Sequence, residues 1–336
     1  MTAKRKILVA IVALLAIAGI TLTIIVMPEV QMKNNLKDIT LYPAEKADSA
    51  DRIYFLNTGS ADAILIESDG KYALIDAAED SDNPRGFPEL VYEGTEEYVC
   101  DAVKKIAGNK KGKATLEFVL GTHSHSDHIG GFDTLILDED ITVKGAYLKE
   151  YNESIIKDYE IKKWDNKEVY EQMIDACEQR GVPVIHNISE EPFKFGNFTL
   201  NFCNTIDKDP EDKVGENENA VGLLIEKGEY RAFLAADINN YDGDEDRLAE
   251  EIGKVNLLKV GHHGYDGSTT KGFVEALSPE VAVVTNKEGG ISRKPLSNLN
   301  SIGAKVLETG TYSGIVAEFT DDGIKFYSDL DSILEK

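Results

Sequence analysis

Cysteine is scarce in this chain. Cys100, Cys177 and Cys203 are scattered through 336 residues with no CxxC pair, so nothing suggests a zinc knuckle. An extracellular location would allow one disulfide plus a free thiol; three semi-buried apolar thiols is the simpler reading. Positive charge is also short. Lys and Arg number 36 against 60 Asp and Glu, a net charge of -24. That balance disfavours a general nucleic-acid or anionic-membrane surface, since both need basic patches. It leaves room for a local cation site. Low-complexity tracts and internal repeats are absent. Long apolar runs are absent too, with one exception.

The exception is the N-terminus. Ile7 to Met27 carry no charge, and as a helix they span roughly 31 Å, about the hydrocarbon thickness of a bilayer. The basic cluster Lys4 to Lys6 predicts an inside N-terminus, with the rest of the chain outside the cell. A cleaved signal peptide ending near Ala18 is the alternative and would leave the protein secreted. The run continues about nine residues beyond that point, which favours a retained single-pass anchor in the cell membrane. The expected organisation is an anchor or signal peptide over 1–28, a polar linker over 29–50, and one globular unit over 51–336.

Within that unit, short apolar runs alternate with turn signals. "ADAILIES", "KYALIDAA", "AVGLLIEKG" and "YRAFLAADI" read as strands, and "EEYVCDAVKKIAG" and "EVYEQMIDACEQRG" have helical spacing ending in glycine. Strands dominate and helices interleave, which predicts a layered α/β architecture of two mixed sheets covered by helices.

One loop concentrates chemistry. "GTHSHSDHIGG" over 121–131 holds three of the six histidines, with an aspartate, inside six positions. It follows an apolar strand, and loops at strand ends can converge side chains without spoiling backbone pairing. His123 and His125, two apart, can share a side of an extended loop; Asp127 and His128 follow at the turn. Imidazole with carboxylate suits Zn²⁺, or Mn²⁺ or Fe in a harder site. Gly130 and Gly131 are expected to let the backbone turn tightly. His262 and His263 follow the strand "NLLKV". Neighbours on an extended segment point opposite ways, so one is expected to be a ligand and the other a substrate or outer contact, His262 being favoured as the ligand. Asp237 ends the apolar strand "FLAADI". Asp76 ends "LIDAAE" and reads either as a turn cap or as a carboxylate orienting a ligand. Asn217, Asn219 and Tyr265 are further candidates for metal or substrate contact, and Asp62 reads as structural.

The complete HxHxDH pattern at 123–128 resembles the metallo-beta-lactamase superfamily. "IYFLNTGSADAILIESDGKYALIDAAE", "LLKVGHHGYDGS" and "TGTYSGIVAEFTDDG" look like its ComEC-type competence branch, and extracellular phosphorylcholine esterases are similar in layout. The resemblance implies an αββα sandwich following the N-terminal membrane helix, and two divalent ions, Zn first and Mn second. His123 and His125 would hold one metal and Asp127 and His128 the other, with His262 as a further ligand and Asp237 bridging. Asp127, Asp237 and His263 would be the catalytic set. The pattern departs from the lactamases in one respect: no histidine lies between 187 and 261. Asn217 and Asn219 stand in that region, and amide oxygens are weaker donors, so the first metal site is expected to be weak. The implied activity is hydrolysis by a metal-activated hydroxide, foremost of phosphodiesters in small molecules or cell-envelope polymers. A ComEC-like nuclease of DNA uptake fits the motifs but not the acidic charge. Carboxyl-ester, lactone or thioester hydrolysis, and a non-catalytic module with a decayed metal site, are the remaining alternatives.

Overall fold

The computed structural model describes residues 27–45, 50–81, 93–208 and 213–334. Two large sheets dominate the described residues. One orders the strands Leu41–Pro43, Gly323–Ser328, Ile315–Thr320, Arg52–Phe55, Ile64–Ser68, Lys71–Ile75, Phe118–Gly121, Ala146–Leu148 and Val184–Ile185. The other orders Phe193–Phe195, Phe198–Cys203, Gly222–Lys227, Tyr230–Leu234, Leu257–Lys259, Val281–Val284 and Lys305–Glu308. Antiparallel pairing gives way to parallel beyond Lys71–Ile75 in the first sheet and beyond Tyr230–Leu234 in the second.

Alternation along each strand explains the layering. Ile64 and Ile66 join a core shared with Leu223, Ile225, Ala232 and Leu234 of the other sheet. Leu65, between the first two, packs instead with helices Glu96–Ala107, Phe132–Leu137 and Asn166–Arg180. Leu224 and Phe233 pack with helices Asp244–Ile252, Lys271–Leu277 and Arg293–Ser301. Successive side chains serve opposite faces, and strands buried on both faces read as continuous apolar runs. The result is the expected helix–sheet–sheet–helix sandwich. The three cysteines are free and buried.

The stretch expected to be a linker is partly structured. Leu41–Pro43 adds a parallel edge strand beside Gly323–Ser328, and Leu36, Ile39 and Leu41 pack against the core between the sheets. Gln31 Nε2 donates to Asn300 O at 2.9 Å, and Asn300 Nδ2 donates to Pro28 O at 2.8 Å. Polar composition masked three apolar residues at contact-forming positions. The apolar run from Ile7 lies outside the described residues except for Met27. Among the described residues, no helix is long and apolar enough to cross a membrane.

The two glycines after the histidine motif have a different role from the one expected. Gly130 and Gly131 have ordinary right-handed φ values of -54° and -78°. What excludes a side chain is proximity: a Cβ on Gly131 would lie 2.4 Å from Ala77 O, and one on Gly130 2.9 Å from Asp80 N. These glycines let the motif helix press onto the segment after Lys71–Ile75. Gly131→Ala is therefore expected to cost about 1–3 kcal/mol through overpacking. Urea denaturation of the variant would measure this, and an unchanged midpoint would refute the close-packing account.

Candidate metal centre

Residues destined for the site leave the sheets at strand ends. Asp76 follows Lys71–Ile75, Thr122 and His123 follow Phe118–Gly121, Asp237 comes shortly after Tyr230–Leu234, His262 and His263 after Leu257–Lys259, and Thr285 after Val281–Val284. Parallel strands deliver their C-terminal ends to one edge, and their loops converge there. Backbone bonds lock the loops together: Ala77 N donates to His128 O at 2.7 Å, Asp62 N to Asp127 O at 3.1 Å, and Gly131 N to Ala78 O at 3.0 Å.

Four imidazoles converge, each with one nitrogen facing an outer partner. His128 Nδ1 lies 2.7 Å from Asp76 Oδ2; Asp76 itself accepts from Thr122 N and Thr122 Oγ1, both at 2.8 Å. His123 Nδ1 lies 3.1 Å from Thr122 Oγ1. His263 Nδ1 lies 3.2 Å from Thr285 O. His125 Nε2 faces Glu160 Oε2 at 3.5 Å, and its ring sits edge-on to Trp164 at 4.8 Å. Outer contacts of this kind set the tautomer and direction of ligating imidazoles.

The inner nitrogens meet carboxylates. His128 Nε2 and His263 Nε2 are 3.1 Å apart. Asp237 Oδ1 is 3.2 Å from the first and 3.3 Å from the second, and Asp127 Oδ2 is 3.3 Å from His263 Nε2. Tetrahedral donors on bonds of roughly 2.1 Å stand about 3.4 Å apart, so this spacing suits a divalent cation. His123 belongs to a further group with His128 and Asp237, its donor atoms within 4.8 Å of theirs. His123 Nε2 and His125 Nδ1 face each other at 3.0 Å. Asp237 Oδ1, Asn217 Oδ1 and Glu216 Oε1 are buried and accept no hydrogen bond, as expected of oxygens suited to a cation. The donors thus fit the implied metal, which runs against a decayed site.

Electrostatics point the same way. Burial opposes charge on the imidazoles, but Asp237, Asp76 and Asp127 raise the pKa of His128 well above its ordinary value. Asp237 and Asp62 likewise push His263 up to about 10. Burial also opposes ionisation of Asp237, yet His263, His128 and His262 hold it well below the usual carboxylate range. Burial and the neighbouring His128 and His125 depress His123.

The 262–263 pair departs from expectation. These residues are not extended: His262 has φ 47°, ψ 48° and His263 φ 50°, ψ 20°. The left-handed turn brings both imidazoles toward Asp237 instead of to opposite faces. His263 is wholly buried within the cluster. His262, favoured from sequence as the ligand, stands at its rim, 3.7 Å from Asp237 Oδ2 and 3.2 Å from Asn217 Nδ2. Tyr265 is partly exposed beside it, with its hydroxyl 2.9 Å from Ser60 Oγ. Asn219 is buried, and its carbonyl accepts from Lys149 Nζ at 3.3 Å. Asp62, read as structural, is buried between His263 and Lys259.

Several contributors stand outside the histidine motif. Lys259 was visible as the lysine of "LLKVGHHG". Glu160, Trp164, Glu216 and Thr285 lay in stretches with no motif, and only the fold brings them in.

Two sheets, capping helices and imidazole–carboxylate donors at converging strand ends define a metallo-hydrolase of the αββα class. A family model described as the beta-lactamase superfamily domain matches residues 97–268. The chain belongs to that superfamily. ComE operon protein 3 of Bacillus subtilis is 26% identical over 207 residues, 59% of this chain and 24% of that protein. Recombination protein 2 of Haemophilus influenzae is 28% identical over 71 residues, 21% of this chain and 9% of that protein. The chain thus spans a quarter or less of these curated relatives. Among solved structures, the metallo-beta-lactamase fold protein YhfI from Bacillus subtilis aligns with a TM-score of 0.50 at 14% identity, covering 80% of this chain and 99% of that one.

The neighbouring carboxylates favour a proton on the facing Nε2 atoms of His128 and His263, and a cation must displace it. Loading at pH 7 should release about one to two protons, and affinity should weaken as pH falls. Isothermal titration calorimetry with Zn²⁺ in buffers of different ionisation enthalpy reads the proton count; binding with no release would contradict the assigned charge state.

Proposed function

We propose that this protein hydrolyses phosphodiester bonds outside the cell, on small molecules or envelope polymers, through divalent cations held by the His/Asp cluster. The observation that carries this reading is Asp237. Its Oδ1 faces His128 and His263, its Oδ2 faces His262, and it lines an open cavity of about 360 Å³ together with His125, Asp127 and Asn217. His123, His125 and Asp237 would hold one cation, and Asp127, His128, His263 and Asp237 the other, with Zn²⁺ or Mn²⁺ suiting the donors. Such ions supply charge neutralisation at the phosphoryl group and acidify water to near neutrality.

The remaining steps fall to the chain itself. Asp127 is partly exposed toward the cavity, where its carboxylate orients the attacking water, whose proton passes to solvent. His262, Asn217 and Tyr265 place donors on the cavity wall and orient the non-bridging oxygens. Trp164, Tyr159 and Tyr241 line the approach and hold the group flanking the scissile bond. The leaving alkoxide departs toward solvent and is protonated there.

Similarity to ComE operon protein 3 favours a nuclease as the second reading. The cavity opposes it: apart from the ligands Asp127 and Asp237, four further carboxyl groups line it against a single lysine, Lys157, and a polyanion gains little there. The anchor reading of the N-terminus supports a site facing outward.

Purified protein loaded with Zn²⁺ or Mn²⁺ should hydrolyse bis-p-nitrophenyl phosphate and act weakly on single-stranded DNA. Asp237→Ala or His125→Ala should lower kcat by at least about 100-fold, the scale set by losing charge stabilisation in the transition state. Full turnover in either variant would place the chemistry elsewhere, and rapid DNA degradation would favour the nuclease.

A further inference from the structure

We propose that Lys259, Asp62 and Thr285 form a buried positioning cradle that keeps a proton on His263 Nδ1 and thereby presents Nε2 to the cation. This rests on the cation reading above and goes beyond it, since none of the three is a ligand there.

Three acceptors surround His263 Nδ1: Thr285 O at 3.2 Å, Thr285 Oγ1 at 3.3 Å and Asp62 Oδ1 at 3.4 Å. The Thr285 hydroxyl proton is already committed to Asp62 Oδ1 at 2.6 Å. Thr285 Oγ1 can therefore only accept from the ring. With acceptors on every side, Nδ1 must donate, so the neutral ring carries its proton there and its lone pair on Nε2. The Nε2 lone pair is then the one presented toward Asp127 and Asp237.

Asp62 can play this part only as an anion. It is fully buried, and its Oδ2 is paired with the ammonium of Lys259, itself wholly buried. Lys259 Nζ also donates to Ala236 O at 2.9 Å, next to Asp237, and lies 3.9 Å from Asp237 Oδ1. One internal cation thus fixes Asp62 behind His263 and braces the turn that carries Asp237. Buried ion pairs give weak net stability compared with apolar packing. Orientation of His263 is a role that an apolar pair could not fill.

Two variants separate orientation from bulk stability. Asp62→Asn with Lys259→Met removes both charges together and avoids stranding either. Thr285→Val removes only the hydroxyl. Each is titrated with Co²⁺ and followed by its visible absorption, with ¹⁵N imidazole NMR of the Zn²⁺ form reporting the His263 tautomer. The wild type should show His263 protonated on Nδ1. The double variant should bind Co²⁺ about 10–100-fold more weakly, while its cation-free thermal midpoint stays within a few degrees of wild type. Wild-type affinity and tautomer in a folded double variant overturn the cradle. If the double variant does not fold, Thr285→Val decides: weakened affinity at an unchanged midpoint supports the cradle, and unchanged affinity overturns it. A wild type that takes up no Co²⁺ overturns the cation reading itself, and the cradle with it.

Discussion

Negative charge is buried at this site at a density that water is no longer present to stabilise. Asp62, Asp76 and Asp237 are almost fully enclosed, and Asp127 reaches the same imidazoles from the cavity side. A carboxylate removed from water needs compensation by charge and hydrogen bonds. Asp76 finds it in Thr122 and His128, and Asp62 in Lys259 and Thr285. Asp237 is the member left over. Its Oδ1 has two imidazole nitrogens within 3.3 Å and accepts no conventional hydrogen bond. The facing imidazoles lower its pKa and so compensate part of its charge, and a divalent cation would do so more completely. The net charge of -24 raises cation concentration near the surface and works in the same direction.

Holding such a cluster requires a rigid frame. Of eleven non-glycine residues with positive φ among those described, five lie at the site: Asp76, Ala78, Ala236, His262 and His263. Each costs about 1–3 kcal/mol and persists only where its surroundings over-determine it. The surroundings here are strands buried on both faces, whose ends cannot shift without disturbing the core between the sheets or the helices outside. Rigidity of the sandwich and strain at its edge are two aspects of one arrangement.

This division explains what could be read from residues alone. The short continuous apolar runs, broken by turn signals, determine the layers, so the sandwich was legible; the histidine loop is contiguous, so its candidate donors were too. Asp237 was legible because an apolar strand ending in a carboxylate places charge at a sheet edge. The opposite-facing arrangement expected of 262–263 does not occur because alternation holds only for extended backbone, and these residues are left-handed. Glu160 and Thr285 were invisible because they act through space, from segments with no pattern of their own. Linker and edge strand were confused because composition averaged away Leu36, Ile39 and Leu41.

The two halves of the cluster are unequal, and the inequality bears on catalysis. His128, His263, Asp127 and Asp237 supply imidazoles and carboxylates at ligand spacing. On the other side, His123 and His125 face each other at 3.0 Å, and one of the extra oxygens on that side is an amide, that of Asn217, beside His262. An amide oxygen is the weaker donor. The His128 half would therefore offer the stronger donor set, with Asp237 within reach of His123 as well as His128. The second half would then hold its cation with fewer protein donors. A closed set of protein ligands makes a structural site, whereas catalysis needs a position that water or substrate oxygen can occupy. By that criterion the absent histidine is compatible with catalysis, because it leaves room on the side of the cavity lined by Asp127 and His262.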